Sequence, residues 1–160
     1  MRILILCLAI LNSVCVNAQP IELLDGQYID TTGQLGAGCK DAGIYYYQVN
    51  RKYPLSSDQL LKLVKQKTSN DLGFGASSGW ITFQFTIDCE GKLVRRVKLI
   101  QSDSKYLPSV FPTEGILKLY EFLLSLHDWK PVVSDIGTGY PYRSFFSFKI
   151  IHGKVDRIIP

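Results

Sequence analysis

The segment from Trp80 to Ile87 constrains this chain more than any other: Ile81, Phe83, Phe85 and Ile87 alternate with Thr82, Gln84 and Thr86 without a break. Side chains of a strand point to opposite faces at each step, so one face of this segment belongs to a core and the other is polar. Asp88-Cys89-Glu90-Gly91 follows, with Gly91 placed to take the left-handed conformation of a tight loop, and Lys92 to Ile100 returns as a second strand. The pair reads as a β-hairpin. Its first strand carries no charge, whereas the second carries Lys92, Arg95, Arg96 and Lys98, residues that discourage unwanted pairing at a sheet edge. The first strand is expected at the centre of a sheet and the second at its rim.

The flanking segments supply the partners. Ile44-Tyr45-Tyr46-Tyr47-Gln48-Val49 is aromatic and β-branched, and reads as a short strand. Ser56 stands three residues before Gln59 and just ahead of Leu60, Leu61, Leu63 and Val64, the capping-box arrangement that opens an amphipathic helix, here over 56–67. After Pro108 and Pro112, Thr113 is placed to cap a helix over 114–127, whose apolar positions Ile116, Leu119, Tyr120, Leu123 and Leu126 recur at three- and four-residue steps. Arg143 to Ile151 reads as a further strand, with Phe146, Phe148 and Ile150 on one face. The order strand, helix, hairpin, helix, strand predicts an α+β fold: a small antiparallel sheet, made of the hairpin and the C-terminal strand, with two helices packed on one face.

At 160 residues, 46% apolar and 20% charged, the chain has room for one domain and a tail. Residues 1–18 have the form of a secretory signal peptide: Arg2, an apolar run from Ile3 to Leu11, and Val16-Asn17-Ala18 as a small-residue cleavage site. The apolar run is far shorter than the roughly 20 residues of a membrane-spanning helix, and no such helix is expected in the mature chain. Acylation at Cys15 is the competing reading, for which Asn12-Ser13-Val14 is a poor lead-in. Residues 19–43, rich in Gly, Asp and Thr, read as an irregular N-terminal extension, and 44–160 as the folded domain. Removal of the leader leaves Cys39 and Cys89, which in an oxidising compartment form one disulfide; two unpaired thiols, one buried, are the alternative.

Catalytic signatures are missing. Gly75-Ala76-Ser77-Ser78-Gly79 has the spacing of a nucleophile elbow but runs from helix into strand, the reverse of what that chemistry needs. The mature chain offers a metal only two cysteines and the isolated His127 and His152, no glycine pair opens a helix as a phosphate loop does, and so neither metal nor cofactor is expected. A net charge of +4 with both signs interspersed does not mark a nucleic-acid surface. In the run Arg95-Arg96-Val97-Lys98, alternation sends Arg95 with Val97 to one face and Arg96 with Lys98 to the other. The reading is a non-catalytic binding module.

The segment Gly79-Trp80-Ile81-Thr82-Phe83-Gln84-Phe85-Thr86-Ile87-Asp88, followed by Glu90-Gly91-Lys92-Leu93-Val94, resembles the TonB C-terminal domain family in its divergent Bacteroidetes-type form. Leu119 to Leu126 stands where that family has its second helix, Trp129-Lys130-Pro131 looks like its Trp-x-Pro signature, and Phe146-Ser147-Phe148-Lys149-Ile150 takes the place of its last strand. The resemblance spans roughly residues 54–152. It implies a periplasmic domain that binds a short peptide segment of an outer-membrane transporter by pairing strand to strand along the edge of the last strand. Here that edge is Arg143 to Ile150, with Arg143 and Lys149 offering charge and Phe145 and Ser147 facing away from Phe146 and Phe148. The chain shows a leader in place of the family's membrane anchor, and no proline-rich spacer, so a peptide- or protein-binding module is expected rather than a force transducer. Ile44 to Val49 bears on the outcome: lying against the last strand, it would fill the peptide site. The alternative is then a structural or regulatory periplasmic domain that keeps the fold and has lost peptide binding.

Overall fold

A computed structural model of the chain describes residues 27–40, 43–68, 71–135 and 137–160. The expected leader with Cys15, and residues 19–26 of the expected extension, lie outside the described residues. The elements in chain order are β1 (Tyr28–Asp30), α1 (Ser57–Lys67), β2 (Gly79–Ile87), β3 (Leu93–Asp103), α2 (Thr113–Leu124), β4 (Val132–Val133), β5 (Gly139–Tyr140), β6 (Tyr142–Ile151) and β7 (Lys154–Ile159). The fold is α+β. Five strands form an antiparallel sheet in the order β1-β3-β2-β6-β7, and β4 with β5 makes a separate two-stranded ribbon.

The alternating strand β2 is central, paired along its length with β3 on one side and β6 on the other. Ile81, Phe83, Phe85 and Ile87 of β2 are buried, as are Phe146, Phe148 and Ile150 of β6 and Val97 and Leu99 of β3. Both helices cover this face. From α2, Tyr120 lies 5.9 Å from the Phe83 ring and Phe122 lies 6.1 Å from Phe148. From α1, Leu60 and Val64 are buried, and the Ser57 hydroxyl accepts the N–H of Ile158 at 3.3 Å. The capping box forms: Ser56 Oγ accepts the Gln59 N–H at 3.3 Å, and Gln59 Oε1 accepts the Ser56 N–H at 2.9 Å.

The hairpin turn is fixed by Asp88, whose Oδ1 accepts the N–H groups of Glu90 and Lys92, each at 2.8 Å. Gly91 has the expected left-handed φ of +83°, and a Cβ there would stand 2.8 Å from the Trp129 carbonyl oxygen. Turn and Trp129-Lys130-Pro131 segment are thus packed together. Trp129 itself is buried against Tyr53 at 4.6 Å and Phe85 at 5.2 Å.

Four expectations are corrected. Ile44 to Val49 is not a strand but a series of turns: the Gln48 side chain accepts the Tyr45 N–H at 2.8 Å, the Gln48 N–H donates to the Tyr45 carbonyl at 2.9 Å, and this local bonding competes with a ladder. One parallel bridge, Tyr45 to Arg143, remains. The strand β3 is not an edge, because β1, inside the supposedly irregular extension, pairs with it at Lys98 and Val97. The C-terminal strand β6 is not the last: His152 and Gly153, both at positive φ, turn the chain back into β7. Finally, α2 starts at Thr113 with Pro112 at its cap position and ends at Leu124, where the Ser125 hydroxyl donates to the Phe122 carbonyl at 2.7 Å.

Cys39 and Cys89 form a disulfide, with Cα atoms 5.8 Å apart, that ties the stretch after β1 to the hairpin turn. Among the described residues no helix is long and apolar enough to cross a membrane. The bond closes a loop with a sequence separation of 50 residues, so its loss enlarges the conformational freedom of the unfolded chain. The double variant Cys39→Ser/Cys89→Ser is expected to lose about 2–4 kcal/mol in urea unfolding. Treatment of the parent with reductant is expected to produce the same shift, and to leave the variant unchanged.

Candidate functional site

Two surfaces bear on binding: the outer edge of β6, and the face of the sheet turned away from the helices. The edge is occupied along both halves. Toward its start, the Arg143 N–H donates to the Ile44 carbonyl at 2.7 Å and the Arg143 carbonyl accepts the Tyr46 N–H at 2.9 Å. From Ser147 to Ile151 the same edge pairs with β7, in a register that sets Ser147 opposite Ile159 and Lys149 opposite Arg157. Phe145 lies between and belongs to neither pairing. The edge expected to receive a peptide is therefore filled by the chain's own backbone.

The four residues expected to bind the partner share the open face instead. The Arg143 guanidinium lies 5.8 Å from the Tyr45 ring centre, and the Phe145 ring stacks on the same tyrosine at 6.2 Å, nearly parallel. Tyr45 and Tyr47 stack at 5.5 Å and Tyr47 is largely exposed, while Tyr46 packs against the core, so the tyrosine run forms an aromatic rim to it. The Ser147 hydroxyl is 2.9 Å from that of Thr82, and Lys149 Nζ is 3.7 Å from Asp156. Beyond Lys149, Trp80 stacks with the exposed Tyr106 at 6.3 Å, a pairing without a sequence signal because Tyr106 lies in the aperiodic loop after β3.

At the opposite end of this face lies a groove of about 610 Å³. Gln84 and Thr86 of β2 form part of its lining, Arg96 and Lys98 of β3 and Arg143 of β6 bring positive charge to it, and residues 33–35 border it above Val94. Alternation had sent Arg96 and Lys98 together to one face, and both lie against Tyr28 of β1, 5.1 and 5.2 Å from the ring centre. Arg95, on the helix side, behaves differently: its Nε donates to Asp30 at 2.9 Å.

No family model, curated protein or solved structure matches this chain. The TonB resemblance accordingly rests on the ordered motifs themselves.

The groove depends on β1 and the stretch after it, and these are held by Asp30. This buried carboxylate accepts from the Tyr120 hydroxyl at 2.6 Å, from the Thr32 N–H and hydroxyl at 2.8 and 2.7 Å, and from Arg95. Burial pushes its pKa up, but those four donors together outweigh burial and hold the carboxyl far below the ordinary value of 3.8. Tyr120 is pushed the other way, first by burial and then by donating to Asp30.

A carboxyl with a lowered folded-state pKa contributes stability that is complete above its unfolded value and lost as pH falls through the folded one. Asp30→Asn is expected to lower stability by about 1–3 kcal/mol at pH 7, and the gap between parent and variant to narrow below about pH 4. Thermal melts across that range measure it; a gap independent of pH would contradict the charge argument. For Ser147→Pro, the ring removes an N–H from an interior strand, so a loss of about 3 kcal/mol is expected in denaturant unfolding. A free edge at Ser147 would instead tolerate the change.

Proposed function

We propose that the chain is an exported, non-catalytic binding module of TonB C-terminal-like fold that engages a peptide segment or protein partner through the open face of its sheet rather than along the edge of β6. The observation that carries this reading is the occupancy of that edge by Ile44, Tyr46 and β7, set beside the clustering of Arg143, Phe145, Ser147 and Lys149 on the opposite face from the helices. Strand addition needs a continuous row of unpaired backbone donors and acceptors, which an edge paired on both sides of Phe145 does not offer. Side-chain recognition does not. Aromatic residues held by stacking, such as Phe145 on Tyr45, supply contact area at low cost in conformational entropy, and the basic residues around them supply orientation.

Export and the periplasm are supported by the leader-like residues 1–18 and by the Cys39–Cys89 disulfide, a bond that persists in oxidising compartments. The partner class named by the resemblance is an outer-membrane transporter. The filled edge also favours a second reading, a structural or regulatory periplasmic domain that keeps the fold and does not bind peptide.

The two readings separate in a crosslinking experiment. A photoreactive phenylalanine analogue is placed at Phe145 on the open face or at Leu117, exposed on the solvent side of α2, and each protein is irradiated with detergent-solubilised outer membranes. Crosslinks to a transporter from position 145 and not from 117 are the expected outcome. Equal labelling from both positions, or none from either, favours the structural reading.

A further inference from the structure

The groove on the open face holds two cations, Arg96 and Lys98, that no acid among the described residues balances. Cations close to it in sequence each meet an acid: Lys92 is paired with Glu90, and Arg95 with Asp30 at 2.9 Å. Arg96 and Lys98 meet none among the described residues. Both lie instead against the single ring of Tyr28, 5.1 and 5.2 Å from its centre, so two like charges are gathered on one aromatic group. Such an arrangement costs free energy in the empty protein and recovers it when an anion enters. Among the described residues no carboxylate lines the groove; its polar lining comes from neutral groups such as Gln84 and Thr86 and from Arg96, Lys98 and Arg143.

The charge does not stop at the groove. Register places Arg143 beside Thr86 and Lys149 beside Trp80, six positions apart on the same face of β6; Asp156 lies 3.7 Å from Lys149 Nζ, and Arg157, opposite Lys149 on β7, adds a further cation at that end. Six residues of strand span about 20 Å. Between these ends the face presents the Thr82 and Ser147 hydroxyls, 2.9 Å apart, and no charged side chain on β2 or β6. A compact anion would engage one end only, whereas an extended chain carrying several carboxylates would reach both.

From these observations, and resting on the open-face reading given above, we infer that the ligand of this face is an extended acidic peptide segment, rich in Asp or Glu, whose carboxylates are held in the groove by Arg96 and Lys98. Arg143, fixed against Tyr45, stands at the wall where such a segment leaves the groove toward Lys149. Binding of this kind is screened by salt. The aromatic contact of Tyr28 keeps the two cations in place before the ligand arrives, which lowers the ordering cost of binding.

The test uses the purified protein and fluorescein-labelled hexaglutamate, followed by fluorescence anisotropy at low ionic strength. Saturable binding is expected, with hexaglutamine not bound and affinity falling as salt is raised. The double variant Arg96→Gln/Lys98→Gln is expected to weaken binding about tenfold, the loss of two partly desolvated ion pairs. Lys62→Gln/Lys65→Gln removes the same charge from exposed positions on α1 and is expected to leave affinity unchanged within about twofold. Thermal melts verify that both variants fold. Absence of saturable binding, or equal weakening in the two double variants, overturns the inference, and so does tighter binding of hexagalacturonate, an anionic chain without amides. Should hexaglutamate fail while position 145 still crosslinks to a transporter, the acidic-segment inference falls and the open-face reading stands.

Discussion

The structure depends on one constraint: a strand as apolar as β2 has to be paired on both edges and covered on its inner face. Every backbone N–H and C=O it buries needs a partner, and each neighbour that supplies one acquires an outer edge with the same need. β3 and β6 meet the first requirement and pass the problem outward. The chain ends it with two short strands, β1 of three residues and β7 of six, the latter bearing Lys154, Asp156 and Arg157. Short, charged outer strands are poor templates for further pairing. Even the remaining length of β6 is used, through the turn at Ile44 to Tyr46.

A strand of three residues does not hold itself. β1 gives β3 only a brief, shifted ladder, and its position comes from side chains: Asp30 reaches across to Tyr120 of α2 and to Arg95, and the nearby Cys39 is bonded to Cys89 at the far end of the hairpin. One attachment is electrostatic and acts in the native state. The other is covalent and, in the loop-entropy account, acts through the unfolded chain. Together they carry residues 33–35 over the sheet, where Gly33 approaches β3 so closely that a Cβ would stand 2.8 Å from the Arg95 Cα atom. The wall of the groove is thus built by the segment with the least secondary structure of its own.

What sequence reading recovered and what it missed follow the same division. The hairpin, the capping box at Ser56, both helices and β6 were legible because each is long enough for its period to show. Asp88 and Gly91 declared the turn through chemistry that operates within five residues. β1 and β7 were not legible by period: Tyr28-Ile29-Asp30 is too short, and in β7 only Val155 and Ile158 are buried. His152-Gly153 was the available signal, a two-residue turn ending in glycine between apolar runs. The reading of Ile44 to Val49 as a strand failed for a different reason, since aromatic and β-branched content describes side-chain packing and not where the backbone bonds go. At the candidate site, individual residues were placed on the right face by alternation, but the groove was invisible because Tyr28, Arg96 and Arg143 come together from three strands distant in sequence.

The filled edge changes which physics recognition can use. An open edge recognises a partner by backbone hydrogen bonds that nearly any sequence supplies, so selectivity there is modest and affinity comes from register. A sheet face offers side chains only, and its selectivity is set by which residues the strands happen to bring level. Here β2 contributes polar neutral groups, β3 and β6 contribute cations, and the rims contribute the Tyr45–Phe145 and Trp80–Tyr106 stacks. Acidic residues are kept to the helix side, as with Asp30, or to the margin, as with Asp156 beside Lys149. A face with fixed aromatics, gathered cations and little acid repels basic segments and steers acidic ones before contact, so discrimination begins at a distance of about one Debye length. On the open-face reading proposed above, a chain that closes its own edge recognises its partner by charge and stacking, a mode that strand pairing alone does not provide.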